Sequence, residues 1–208
     1  ILALPDETVL PRAVSAELGT RRTWTGGTLA VAAWWLDLES ETVFVGDEGT
    51  TESSGRTRRV GIDVELRQQL ITNLWFDTDI NLARGKFRDE PAGANRIPLA
   101  PTRTATAGLT SRANRFEGGL RVRHIGARAA NEDNSVGALG STTWELFGDW
   151  KAGPIRVFGA VDNLFNATWN EAQFATTSRL RGERAPVTEL HYTPGAPRSL
   201  SLGIAWRF

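Results

Sequence analysis

The sequence predicts an all-β fold, an antiparallel transmembrane β-barrel, on three observations. The chain closes on "SLSLGIAWRF", where Leu200, Leu202, Ile204, Trp206 and Phe208 take every second position and Ser199, Ser201, Gly203, Ala205 and Arg207 lie between them. That alternation gives a strand one large apolar face and one small or polar face. Comparable segments of 10–14 residues recur along the chain. An ordinary globular strand has about 5–6 residues, and a bilayer-crossing strand about 9–11. Finally, the connections alternate between short turns and long polar loops, the asymmetry of outer-membrane barrels.

The first strand is "AVSAELGTR", with Val14, Ala16 and Leu18 opposite Ser15, Glu17, Gly19 and Arg21, followed by a tight turn at "TWTGG". "TLAVAAWWLDLESETVFV" reads as one long strand whose double Trp blurs the register, as a bulge would. After the polar loop 46–56, "RVGIDVELR" sets Val60, Ile62, Val64 and Leu66 against Arg59, Gly61, Asp63, Glu65 and Arg67. A turn near Gln68–Gln69 leads to "NLWFDTDINLA", where Leu74, Phe76, Ile80 and Leu82 oppose Asn73, Trp75, Asp77, Asp79 and Asn81. Beyond the Gly/Pro loop 87–101 come "TRTATAGLTS" and "FEGGLRVRHIGAR"; beyond loop 128–140 come "STTWELFGDWKAG" and "IRVFGAVDNLFN". Residues 166–196 read as the longest loop, and 197–208 as the last strand. This makes about nine strands, with short turns at 25–27, 68–70, 112–115 and 151–154. Residues 1–10 leave room for a tenth.

Composition narrows the function classes. The 24 basic and 24 acidic side chains cancel, so a nucleic-acid partner is not expected. There is no Cys, hence no disulfide, thiolate metal site or thiol nucleophile. No window holds the roughly 18 apolar residues of a membrane helix, a test to which alternating strands are blind. Trp24, Trp150, Trp206 and Phe208 all fall at the short-turn ends of strands, as an interfacial aromatic belt requires. The polar faces carry Arg59, Asp63, Glu65, Arg67, Asp77, Asp79 and Asn81, which suits a hydrated lumen.

These residues resemble a known family. "AVDNLFNATWN" is similar to the penultimate-strand motif of TonB-dependent outer-membrane receptors, and "YTPGAPRSLSLGIAWRF" to their last strand. "SAELGTR", "GIDVELR" and "RIPLAPTRTATAGL" resemble three further stations in the same order. The resemblance implies that residues 1–208 form the C-terminal part of a 22-stranded barrel, with the plug domain and TonB box upstream. It implies a Gram-negative outer-membrane protein that imports a ferric siderophore or another scarce ligand, energised by the TonB complex through the plug. It also implies that Ile204, Trp206 and Phe208 act as the signal read by the barrel-assembly machinery, since such a reader needs an accessible edge and alternating side chains. The expected partners are therefore outer-membrane lipid, the plug and remaining strands of the same polypeptide, TonB, the assembly machinery and a small ligand.

For the ligand, the 166–196 segment is the strongest candidate. It combines Trp169, Phe174 and Tyr192 with Arg179, Arg181, Arg184 and His191; aromatic faces stack on flat ligands and guanidinium forks grip carboxylates or chelate oxygens. Arg121 and Arg123 on a lumen face are further candidates. His124 sits at apolar parity and reads as an interface residue. No catalytic constellation is present: Ser and Asp are plentiful but are not paired with His at a recognisable spacing. "GDEGTTESSG" has neither the Lys nor the helix of a phosphate loop, and "NEDN" is too short for a calcium loop. No cofactor or metal site is expected. The rival readings are a small closed porin or adhesin, which needs an even strand count, a soluble β binding domain, and an outer-membrane enzyme.

Overall fold

The computed structural model describes residues 11–45 and 50–207. The strands are β1 (Ala13–Trp24), β2 (Gly27–Leu38), β3 (Glu41–Val45), β4 (Thr50–Ser54), β5 (Thr57–Ile71), β6 (Leu74–Phe87), β7 (Arg103–Ala113), β8 (Phe116–Ile125), β9 (Arg128–Ala129), β10 (Gly137–Ala138), β11 (Ser141–Ala152), β12 (Ile155–Asp162), β13 (Asn170–Ser178), β14 (Val187–Pro194) and β15 (Ser199–Trp206). Nine of them form one sheet in the order β1-β2-β5-β6-β7-β8-β11-β12-β15, and every neighbouring pair is antiparallel. The other six form three small hairpins, β3–β4, β9–β10 and β13–β14. All three hairpins lie in connections at the same end of the sheet. At the opposite end only two-residue turns join the strands, with Gly26, Asn114 and Gly153 at positive φ, as tight hairpins demand.

Register carries one face across all nine strands. Leu18 of β1 pairs with Ala33 of β2. Val31 pairs with Val64, Val64 with Ile80, and Ile80 with Ala105. Farther along, Leu109 pairs with Leu120, Leu120 with Leu146, Leu146 with Val161, and Val161 with Leu200. The opposite face of the same strands carries Glu17, Arg21, Asp63, Glu65, Asp79 and Asn81, which line one broad concavity. The sheet therefore curves around its polar side, as a barrel wall curves around a wet lumen.

What the sheet leaves uncovered agrees with that orientation. Ile62 is 47% exposed, Leu202 76% and Ile204 77%. Among the described residues the buried apolar ones are Phe87, Ile97, Ala130 and Ala138, all at the loop end. A water-soluble sandwich would bury its alternating apolar face; here the packed core is a small cap under the loops. On β5 the uncharged outward stretch runs from Arg58 to Gln68. That is roughly 33 Å along the strand and about 25 Å along the axis at a ~40° tilt, the height of a barrel's apolar band. At its short-turn edge Trp24, Phe76, Phe116, Trp150 and Trp206 share the outward parity, Trp150 pairing with Phe116 and Trp206 with Ile155. Trp24 Nε1 donates to Gln68 Oε1 at 2.8 Å, so its polar tip is satisfied where the ring meets the interface.

Three expectations are corrected. The turn near Gln68–Gln69 lies at 72–73 instead, because an irregularity between Gln69 and Ile71 lets β5 continue. The long strand 28–45 is broken at 39–40 and resumes as β3. The 166–196 segment is largely a hairpin and not an irregular loop. Phe208 and a tenth strand in 1–10 lie outside the described residues.

Candidate functional site

The loop end is built by stitching separate connections together. Segment 88–102 is tied to 128–136 by backbone bonds, Arg96 N to Glu132 O at 2.9 Å and Leu99 N to Ala129 O at 2.8 Å. Ile97 drops its Cδ1 over Gly85, 2.7 Å from where a Cβ would stand, so only glycine lets the cap sit this close to the wall. The β13–β14 hairpin is clasped to the same cap through one amide: Gln173 Oε1 accepts from Leu139 N at 2.8 Å, and Gln173 Nε2 donates to Leu139 O at 2.9 Å. Gln173 is buried, so both bonds are shielded from water. Gln173→Ala is expected to release the hairpin from the cap, raising the rate of limited proteolysis within 170–194 severalfold without lowering the melting temperature of the wall.

At the hairpin base the sequence motif acquires a mechanism. Asn163 and Asn166, the two asparagines of "NLFN", both adopt left-handed backbone, φ 48° and 52°, a region Asn tolerates better than other non-glycine residues. The buried Asn163 amide donates to Ala167 O at 2.9 Å and to Ala196 O at 3.1 Å, and its oxygen accepts from Ala167 N at 2.8 Å. Asn166 Oδ1 accepts from Arg198 N at 2.9 Å. "NLFN" and "PGAPR" are thus two halves of one junction that returns the chain from the hairpin to β15.

The residues predicted for ligand binding are spread along this hairpin. Trp169 is part of the junction: its Nε1 donates to Ala196 O at 3.0 Å and its ring covers Gly195. Phe174 faces His191 across the strands, ring centres 6.0 Å apart, and His191 Nε2 lies 3.7 Å from Glu189 Oε1. Tyr192 is 57% exposed. Arg179, Arg181 and Arg184 occupy the exposed turn between β13 and β14. That turn is roughly 26 Å from Asn170 along the strand, so the hairpin separates the arginine tip from Trp169. Arg121 and Arg123 stand on the concave wall, Arg123 4.0 Å from Glu145. His124 has the outward parity its sequence position implies, and its Nδ1 meets Thr142 Oγ1 at 2.9 Å.

Sequence reasoning missed Arg128. It lines a cavity of about 410 Å³ at the loop end together with Arg84, Arg96, Ile97, Asn134 and Leu139. Its Nε and Nη1 are buried without a hydrogen-bond acceptor, and burial pushes its pKa below the usual guanidinium value. No sequence pattern marks it: "GARAAN" resembles any loop entry.

A second electrostatic feature pins the loop bases. Arg56 reaches Asp89 with Nε at 3.0 Å and Nη2 at 2.5 Å, and the hydrogen bond from Arg56 is the main reason the Asp89 carboxyl lies below the ordinary carboxylate range. A carboxylate depressed by folding contributes above its unfolded pKa, about 3.9, and loses that contribution as pH falls through the folded value. Amide hydrogen exchange across 88–102, corrected for intrinsic rates, is therefore expected to accelerate below about pH 4, and Asp89→Asn to abolish that step.

Among the described residues, no group of three His, Asp or Glu is placed to hold a metal ion, and no helix is long and apolar enough to cross a membrane. Solved structures share this fold. The ferric yersiniabactin uptake receptor FyuA from Yersinia pestis matches with a TM-score of 0.73 and 18% identity, over 95% of this chain and 30% of that one. The ferric citrate transporter FecA in its unliganded form matches at 0.70 and 17%, over 93% and 31%. The copper transporter OprC matches at 0.71 and 18%, over 95% and 32%. The chain thus spans about a third of the length of these structures. Among curated proteins no sequence matches significantly. Residues 11–164 match the family described as TonB dependent receptor-like, beta-barrel. With three quarters of its length inside that match and its sheet built as a barrel wall, this chain belongs to the TonB-dependent receptor β-barrel family.

Proposed function

We propose that this chain is the C-terminal wall, with its outward loops, of a Gram-negative outer-membrane receptor that imports a ferric siderophore or a similar scarce chelate. The supporting observation is the register-locked face that stays apolar across nine strands while the concave face stays charged. The chain makes and breaks no bond in this role; it spans lipid, surrounds a plug and presents the loop-end hairpins. Both outer strands, β1 and β15, have one unpaired edge in the nine-stranded sheet. Hydrocarbon cannot satisfy such edges, so further strands of the same polypeptide close the barrel on both sides. TonB acts through a plug carried on that polypeptide.

The test uses the full-length polypeptide in its native host. It is expected in the outer-membrane fraction, soluble only with detergent. Its deletion is expected to abolish uptake of radioactive iron supplied with the host's own culture-extracted siderophores, with inorganic iron as the control. Recovery as a detergent-free soluble protein would overturn the reading, and an ion-conducting channel in planar bilayers would favour a porin. The assembly role of β15 has its own outcome. Replacing Ile204 and Trp206 by Asp is expected to cut the outer-membrane level at least tenfold with periplasmic accumulation; unchanged levels would remove these residues from the assembly signal.

A further inference from the structure

We propose that the cavity around Arg128 is an oxyanion subsite, taking a carboxylate or phosphate group of a small ligand. The inference rests on, and deepens, the receptor reading above. Arg96 and Arg128 line the cavity, and no described Asp or Glu does; Arg84, which also borders it, pairs with Val60 on the outward face. None of the three forms an ion pair or side-chain hydrogen bond with a described residue. The nearby Asp133 carboxylate is engaged locally, accepting from Ser135 N and Oγ at 3.0 and 2.8 Å.

A half-buried guanidinium with two shielded, unpartnered nitrogens is costly to leave uncompensated. Arginine is also the side chain whose fork fits carboxylate and phosphate oxygens. An oxyanion entering the cavity meets the guanidinium at Nη2, the nitrogen not among the two shielded ones. At about 410 Å³ the space falls within the range of small-molecule sites. Ile97 and Leu139 supply apolar walls, and Asn134 adds a neutral hydrogen-bonding group. The site is distinct from the arginine tip of the β13–β14 hairpin, whose three arginines stand in solvent.

Full-length protein purified in detergent would be titrated calorimetrically with citrate and, separately, inorganic phosphate. Saturable binding of either is expected. Arg128→Gln is expected to weaken it at least tenfold, Arg128→Lys to weaken it less, and Arg115→Gln, in the exposed short turn at the opposite end of the wall, to leave it unchanged. Should Arg128→Gln fail to assemble, judged by heat-modifiable gel mobility, Arg96→Gln carries the same expectation. Absence of binding to the wild type, as when a carboxylate of the same polypeptide already fills the cavity, would overturn the inference. So would binding indifferent to both substitutions. The outer-membrane fractionation above is independent of this titration, so failure of the subsite leaves the receptor reading standing.

Discussion

Val64→Arg is expected to destabilise the assembled barrel by about 2–4 kcal/mol, whereas Thr106→Arg is expected to change stability by less than about 1 kcal/mol. Val64 sits mid-wall on the outward face, paired with Val31 and Ile80. A guanidinium there has only hydrocarbon around it, and neither flanking strand offers an acid at that height. Thr106 is on the inward face, where its hydroxyl already reaches Asp79 Oδ2 at 3.3 Å; an Arg at that position finds a carboxylate and water. The measurement is urea unfolding of the full-length protein folded into lipid vesicles. Equal losses, or a larger loss at Thr106, would mean that the sheet is turned the other way, and the membrane reading would fail with it.

The second large effect is expected at Asn163. Asn163→Ala removes three buried hydrogen bonds, about 1 kcal/mol each, leaves Ala167 and Ala196 backbone groups unpaired, and places a Cβ residue without a compensating side chain in left-handed backbone, about 1 kcal/mol more. A total loss of roughly 3–4 kcal/mol follows. Asn163→Gly keeps the backbone permissive while deleting the bonds, so it is expected to recover about 1 kcal/mol of that loss. Denaturant titration of both variants, alongside wild type, separates the two contributions. Indistinguishable midpoints for wild type and Asn163→Ala would show that the junction contributes nothing to stability.

The nine wall strands were legible because lipid and water sit on opposite sides of them. Leu200, Leu202 and Ile204 must be apolar while Ser199, Ser201 and Gly203 need not be, and period-2 alternation is the direct trace of that contrast. The β13–β14 hairpin has no such contrast. Glu171, Gln173 and Thr177 alternate with Ala172, Phe174 and Thr176, a pattern too mixed to distinguish strand from loop. The turn after β5 was displaced because Gln68 and Gln69 look like turn residues, although Gln68 is an interfacial partner for Trp24 and Gln69 Nε2 donates to Thr72 O. The chemistry of the candidate site was least legible. The tip arginines stand out by composition, yet Arg128 is singled out by burial beneath loops 40 or so residues apart in sequence, which no local pattern encodes.

Each wall strand hydrogen-bonds only to its neighbours in the order of the sheet, and every insertion between them projects at one end. Residues can thus be gained or lost in those projections while the ladder beneath keeps its alignment. Selection is free to reshape the exterior by splicing or lengthening a single hairpin, and the outward belt inherits the change at no cost to its own pairing.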